Sequence, residues 1–597
     1  MGFRQESNSS PHRRSQKFSA VMLEESTSVY GVGYVKKKLK ADSLIRSLIS
    51  LGWKSIDDLR TNKLMMDQRK YLPNQSAANF GKFLLIAILL IGIGLRFFNL
   101  EQKVYSADEV RRIMRFSGYT TQEVREQAFN GQIIGRKDLQ YFQNPHSERS
   151  LSDTLRALMS NPEHPPLYNL LARFWMQLIP IEHSARTFSI FLSILAMLCL
   201  YWLCLELFDS SLTAWIAIAL FAVSPFRILS AQNATQYSCW TVTIILSGIA
   251  LLRAIRKNTL KSWLWYSLSL ALAFYTHLFS ASVAIAQALY VILLERLKIT
   301  RTVVSYVLAA VGSLVLFSPW LFVIFTNLDK IDRNTQYYRQ FKTNIIQISQ
   351  ALFRNIGHLF VNFYHRQSRL ESAFHLLIFL LLVYSLYHLI RYASPKVWLF
   401  LITLIVVPTL FQIVPDLLKP SLRSLQARYY MPVFLAVRMA IFYLIASYIG
   451  SKSPKNWRHY LGQQILLILL LLGIVSGVFL GLNPQAALDD QRGTANGANL
   501  KIAPVLNSMT KPIVISDSTP SFFLGLSYLV NDQVKFQLFQ EGDVETWRRK
   551  LNLKELAQNY SNIVVAHPEE DFVNFLNEQY PIRTEKLAEQ LIEIKLQ

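Results

Sequence analysis

The chain has 597 residues, 51% of them hydrophobic and 17% charged, with a mean hydropathy of +0.23. Soluble proteins carry about a quarter charged residues, so the composition argues against a soluble multidomain enzyme and for a polytopic membrane protein. The net charge of +23 suits Lys and Arg in cytoplasmic loops and beside anionic headgroups; no recognition module accompanies it, so nucleic acid is not an expected partner.

Residues 1–80 are polar and basic, with Arg13-Arg14 and Lys36–Lys38 but no apolar core. They read as a cytoplasmic arm without a cleavable signal peptide. Apolar blocks then predict spans near 83–98, 188–207, 212–226, 238–252, 263–276, 279–294, 303–325, 373–390, 397–414, 431–449 and 464–482. That is a mainly α protein, a bundle of about eleven transmembrane helices over residues 81–484.

Loop charge tests the list independently. Arg253, Arg256, Lys257 and Lys261 lie in one loop, Arg296, Lys298 and Arg301 in the second next, then Arg391 and Lys396, then Lys452, Lys455 and Arg458. Every second loop is basic, which puts the N-terminus in the cytoplasm and the C-terminal tail outside. Counting Leu167–Ile179 as a span would invert that order. It is only a short apolar run between Pro166 and Pro180 and carries Arg173, so an interfacial helix is expected, within one large external loop at 99–187.

Another external loop, Thr326–Ser372, predicts an amphipathic helix around Ile345–Phe363. Beyond Leu482, residues 485–597 alternate β-rich runs (Pro512–Ser516, Val534–Phe539, Asn562–Ala566, Leu591–Leu596) with helical stretches at Val544–Asn559 and Glu569–Gln579. These predict a small extracytoplasmic α/β domain. Cys199, Cys204 and Cys239 sit in or beside apolar blocks, which argues against a disulfide framework or a zinc site.

The candidates for chemistry fall in the external loops. Asp108-Glu109, just after the first span, could deprotonate a hydroxyl or bind a metal in a shielded groove, or stand as a solvated pair opposite Arg111 and Arg112. The run Pro162-Glu163-His164-Pro165-Pro166 fixes the direction of Glu163 and His164, and equally starts a helix. A polar connection from Ser224 to Tyr237 contains Arg227, and Tyr275-Thr276-His277 closes the fifth span. Before the tenth span stand Lys419, Arg423 and Arg428-Tyr429-Tyr430, basic residues that would meet a phosphate or a lipid headgroup.

In this order the motifs resemble the GT-C superfamily of integral-membrane glycosyltransferases, family 39, which includes protein O-mannosyltransferases and the lipid A aminoarabinose transferase. The likeness covers residues 80–450 well and the tail loosely: an acidic pair after span one, His-Pro-Pro-Leu before span two, a Ser-Pro loop ending in Tyr after span three, Tyr-Thr-His ending span five, and Arg-Tyr-Tyr-Met-Pro opening a late one. It departs at Asn233-Ala234-Thr235-Gln236-Tyr237, where relatives often show Glu-Ala-Arg-x-Tyr, and Arg227 is the candidate substitute for the missing Arg.

The resemblance implies an inverting hexosyl- or pentosyltransferase. It would move a sugar from a polyprenyl-phosphate donor to a hydroxyl, amine or phosphate of a lipid, glycan or protein acceptor, outside the membrane and among its lipids. Asp108 and Glu109 are then the catalytic candidates. Glu163, His164, Arg227, Tyr237, His277, Arg423, Arg428 and Tyr429 are the donor and phosphate candidates. No residue is assigned to a metal, and no cofactor is required, although a divalent ion is compatible with the chemistry. The alternatives are a lipid or glycan transporter or flippase, which would carry its ionisable groups within the spans, and a glycan polymerase or ligase built on the late basic loop.

Overall fold

The structure, a computed structural model, describes residues 75–339, 343–364, 368–419, 421–451, 457–486 and 495–597. The arm read at 1–80 lies almost wholly outside these.

Each of the eleven apolar blocks is helical. Among the described residues, eight helices are long and apolar enough to cross a membrane, and Ser211–Ala222 with Pro225–Ala231 forms a ninth candidate, bent by 62° at the break. The remaining two are shorter, Leu260–Thr276 with 17 residues and Ser280–Leu294 with 15. The backbone bonds of a helix are satisfied within itself, which is why lipid-facing segments take this form. Where the bent pair breaks, the orphaned carbonyls of Ala222 and Phe221 accept hydrogen bonds from Arg96 at 2.6 and 3.3 Å. Gly92 permits that approach, since a Cβ there would lie 2.6 Å from the Ala222 oxygen. Gly473, Gly477 and Gly481 make a second close contact, one turn apart on Trp457–Leu482, against Val223, Leu95 with Ile228, and Phe98.

Three cations lie inside the bundle: Arg96 and Arg438 fall within predicted spans, whereas Arg227 was expected in an external connection. Arg96, Arg227 and Arg438 are each almost fully buried near the break at 222–225. Arg227 donates to the Thr241 hydroxyl at 2.6 Å, and Arg438 to the Phe434 carbonyl at 2.9 Å.

The stretch read as interfacial is the helix Leu167–Leu178, whose outer face exposes Leu171, Phe174 and Leu178. Arg173 sits on the opposite face, buried in the protein. It donates to the Phe116 carbonyl at 3.1 Å, to the Thr154 hydroxyl at 2.9 Å and to the Arg149 carbonyl. The charge is thus consumed by loop carbonyls, and an apolar face remains for the membrane boundary. In the later loop, the amphipathic pattern forms the helix Ile345–Gly357.

The tail supplies five strands of one six-stranded sheet. Its strands are β1 (Asn130–Gly135), β2 (Pro512–Ser516), β3 (Lys535–Phe539), β4 (Asn562–Ala566), β5 (Ile582–Ala588) and β6 (Leu591–Leu596), in the order β1-β3-β2-β4-β6-β5. β2 runs parallel to β3 and β4, and the remaining pairs are antiparallel. Two strands were not expected: β5, and β1, which comes from the first large loop and pairs with β3. The helix predicted over 544–559 is two, Val544–Lys550 and Leu553–Asn559, because Asn552 caps the second by accepting from the Glu555 N–H. The loop after the first span and the C-terminal tail therefore share one sheet and one core, with Val110, Ile113 and Phe116 packed in the same cluster as Phe523, Leu524 and Phe536.

Candidate active site

The helix Ala107–Phe116 makes the first wall of a cavity of about 1150 Å³. Asp108, Arg111, Arg112 and Arg115 recur at the spacing of one helical face, and all four line the cavity. The other face carries Glu109, Val110, Ile113 and Phe116 into the protein, where all are buried. Adjacent positions on a helix differ by about 100°, so the two neighbouring acids point apart.

Asp108 meets Arg428 at 2.8 Å across the cavity, with 40% of its side chain still exposed. Burial pushes its carboxyl up, but the guanidiniums of Arg428, Arg111 and Arg112 outweigh that and hold it well below the usual carboxylate range.

Glu109 has no access to the cavity. Its Oε1 accepts from Arg186 Nε at 3.0 Å and from the Ala234 N–H at 2.8 Å; its Oε2 accepts from Arg186 Nη2 and the Ser106 N–H, each at 3.1 Å. The Ser106 hydroxyl in turn accepts from the Glu109 N–H, completing a capping box. The structure does not bring Glu109 to the cavity beside Asp108: it is a buried strut joining the start of this helix to Arg186 and to the connection at Ala234. The spacing Ser106-x-x-Glu109 was the sequence signal for that role.

The proline-rich run supplies a second wall with Glu163 and His164. Its path is held by Trp320, whose indole N–H donates to the Pro162 carbonyl at 3.1 Å. Glu163 accepts from Asn334 at 3.1 Å and from Asn161 at 3.2 Å. Burial, then Arg112 and Arg115, keep the His164 imidazole well below its ordinary value and so neutral.

Tyr237, His277 and Tyr429 form an aromatic corner of the same cavity. His277 stacks on Trp240 at 4.2 Å and accepts the Phe279 N–H on Nδ1 at 3.1 Å, which leaves its proton on Nε2. Tyr429 meets Phe279 edge-on at 4.9 Å.

Arg423 and Arg428 complete the basic side. Arg423 is oriented by Asp416, which is fully buried and also accepts from the Ser424 N–H and the Ser421 hydroxyl, each at 2.7 Å. The sequence reading did not find Asp416, nor the cavity-lining Arg115, Arg125, Lys330 and Arg333. The last two come from a second helix in that loop, Leu328–Arg339. Thr519, Pro520 and Ser521, from the tail, close the rim.

Arg227 is the other candidate that the structure does not bring to the cavity. The whole helix Pro225–Ala231 is buried, and the bend turns Arg227 into the bundle. From that connection only Gln236 and Tyr237 reach the cavity.

The lining holds nine Lys or Arg against two carboxylates, Asp108 and Glu163. Arg112 and Arg115 each have a buried Nε with no hydrogen-bond partner among the described residues. Burial, then Arg111 and Arg112, depress the Arg115 guanidinium to about 9. Such an excess of cations is relieved by an anion.

Over residues 163–322 the sequence matches the family model for dolichyl-phosphate-mannose-protein mannosyltransferases, which independently supports the resemblance read from the motifs. No curated protein matches the sequence. Among solved structures, ArnT from Cupriavidus metallidurans bound to undecaprenyl phosphate aligns with a TM-score of 0.47 and 12% identity, over 87% of this chain and 98% of that one. The same protein in the apo state gives 0.49 and 12% over the same shares. The Archaeoglobus fulgidus oligosaccharyltransferase in the apo form gives 0.41 and 10%, over 78% of this chain and 65% of that one.

Proposed function

We propose that this chain, an integral membrane protein similar to GT-C glycosyltransferases, moves a sugar from a polyprenyl-phosphate carrier to an acceptor on the outer side of the membrane. The observation that carries the reading is the cavity in which the partly exposed carboxylate of Asp108 faces a wall of arginines. A lipid-linked donor keeps its chain in the bilayer and presents a phosphate and a sugar at the boundary. The cationic wall suits the phosphate, and the apolar outer face of Leu167–Leu178 lies on the same loop.

In the transfer, the acceptor oxygen attacks the anomeric carbon and its proton passes to Asp108. The bond from that carbon to the phosphate oxygen breaks, and the electron pair leaves with the phosphate. Arg428 and the Arg112–Arg115 pair stabilise the charge that develops there. One displacement inverts the anomeric centre. Asp108 bonded to Arg428 is a weak base, so the donor has a second effect: its phosphate competes for Arg428 and raises the basicity of Asp108. Transfer thus awaits a loaded donor.

The test is a titration of purified enzyme with a panel of polyprenyl-phosphate sugars at saturating acceptor, then with the roles exchanged. Arg428→Ala should weaken apparent donor affinity about tenfold or more, with a smaller change for acceptor, since a charge-assisted bond to phosphate contributes roughly 1.5–3 kcal/mol. Arg428→Lys should recover part of the loss, because an ammonium keeps the charge but not the planar fork. Unchanged donor dependence in both variants would remove this wall from the donor site.

Orientation is a second expectation. All the cavity-lining segments fall in alternate connections of the chain, and the basic connections Arg253–Lys261 and Arg296–Arg301 fall in the others. Reporter fusions at Gln597 should report the outside and fusions at Ser50 the cytoplasm. A cytoplasmic signal at Gln597 would place the cavity on the wrong side for a lipid-linked donor.

A further inference from the structure

Away from the cavity, one group of three potential ligands stands out among the described residues: His358, Glu371 and His375. Glu371 and His375 are one helical turn apart on Arg369–Tyr392, both buried, so they present donor atoms from the same face. His358 closes the end of Ile345–Gly357 and reaches them across the intervening loop. Its Nε2 lies 3.7 Å from Glu371 Oε1, and the Nε2 of His375 lies 3.9 Å from the same oxygen. One donor atom from each residue lies within 4.8 Å of the others.

These two separations are longer than hydrogen bonds. They are close to the roughly 3.3–3.5 Å that separates neighbouring ligands around a tetrahedral ion with bonds of about 2.0–2.2 Å. His375 Nε2 is hydrogen-bonded to the Val361 carbonyl at 3.2 Å, so metal loading has to displace the proton that points there. The geometry is also braced. A Cβ on Gly357 would lie 2.1 Å from His375 Cδ2, so only glycine lets the helix end meet the imidazole. The Glu371 N–H donates to the Ser368 hydroxyl at 3.0 Å, and its Oε1 accepts from the Phe363 N–H at 3.2 Å, which orients the carboxylate from outside the cluster.

We propose that His358, Glu371 and His375 form a divalent-metal site, with the two-imidazole, one-carboxylate donor set best matched by Zn²⁺. The site is structural. The segment it would clip, 358–364, runs into the bundle: Leu359, Phe360 and Val361 are buried, the Leu359 carbonyl accepts from Ser224 at 2.7 Å, and the Asn362 N–H donates to Ser476 at 3.0 Å. Irregular backbone at this depth needs fixed partners. The preceding helix packs on Arg423–Leu425, so the clip also steadies one wall of the cavity without lining it.

The experiment uses the full chain in detergent, carrying no polyhistidine tag. It is stripped with chelator, reloaded with Zn²⁺, freed of loose metal and measured by mass spectrometry for metal and by thermal unfolding. Wild type should retain about one zinc per chain and unfold at a higher temperature with Zn²⁺ than after stripping. His358→Ala, a partly exposed position, and Glu371→Gln should each hold at least tenfold less zinc and lose the thermal response. Asp108→Asn, outside the cluster, should keep both. Zinc absent from wild type, or retained equally in the two cluster variants, would overturn the site. Zinc-edge X-ray absorption on wild type needs no variant to fold: a nitrogen and oxygen shell with scattering from two imidazoles is expected, and a shell without them refutes the assignment.

Discussion

Asp108→Asn should lower turnover by about a hundred- to ten-thousandfold, the usual cost of removing a positioned base, while insertion and thermal stability stay close to wild type. The substitution changes almost no volume. The pair it breaks, with Arg428, has a carboxylate 40% exposed at the cavity, so its loss costs less than about 1 kcal/mol. The check is single-turnover transfer at saturating donor. Near-wild-type rates would reduce Asp108 to the partner of Arg428. A pH profile of the wild type adds a signature that a purely structural carboxylate would not produce. The limb of kcat/KM that reports the free enzyme should fall at a pH below the ordinary carboxylate range, because Arg428, Arg111 and Arg112 depress Asp108. The corresponding limb of kcat should lie higher, once the donor phosphate has taken Arg428.

Glu109→Gln should do the opposite: lower stability by about 3–5 kcal/mol and leave the turnover of each folded molecule largely intact. Both side chains of the Glu109–Arg186 pair are 1% exposed, so the amide would leave a buried guanidinium without its counter-charge. Arg186 also holds the Leu100 and Lys103 carbonyls at 3.0 and 2.9 Å, and an unbalanced Arg186 loosens the exit from the first span. Thermal unfolding in detergent, with activity normalised to folded protein, separates the two neighbours. Removing both charges, in Glu109→Gln with Arg186→Met, should recover part of the loss, because no ion is then left unpaired. A Glu109→Gln protein as stable as wild type would end the strut assignment.

The contrast between these adjacent acids shows where sequence reasoning reached and where it stopped. The membrane helices were legible because a bilayer demands long, continuous apolar segments, and each of the eleven blocks is helical, the third as a bent pair. Four of the sheet's strands were legible from their short β-rich runs. The residues gathered around the cavity, Asp108, Glu163, His164, Tyr237, His277, Arg423, Arg428 and Tyr429, were named from five separate stretches that the fold brings to one place.

What the sequence by itself determined about this protein was therefore the set of membrane helices, their order and the loops that hold the polar groups, since these follow from local composition and period. The tertiary structure alone decided which side of each helix faces the cavity. It turned Asp108 outward and Glu109 to Arg186, carried Arg227 into the bundle through a 62° bend, and recruited Asn130–Gly135 to a sheet whose other strands begin at Pro512. It also drew Asp108 and Arg428, 320 residues apart, into one ion pair. Orientation about a helix axis and pairing across hundreds of residues depend on partners that local pattern does not contain, and packing chooses among them.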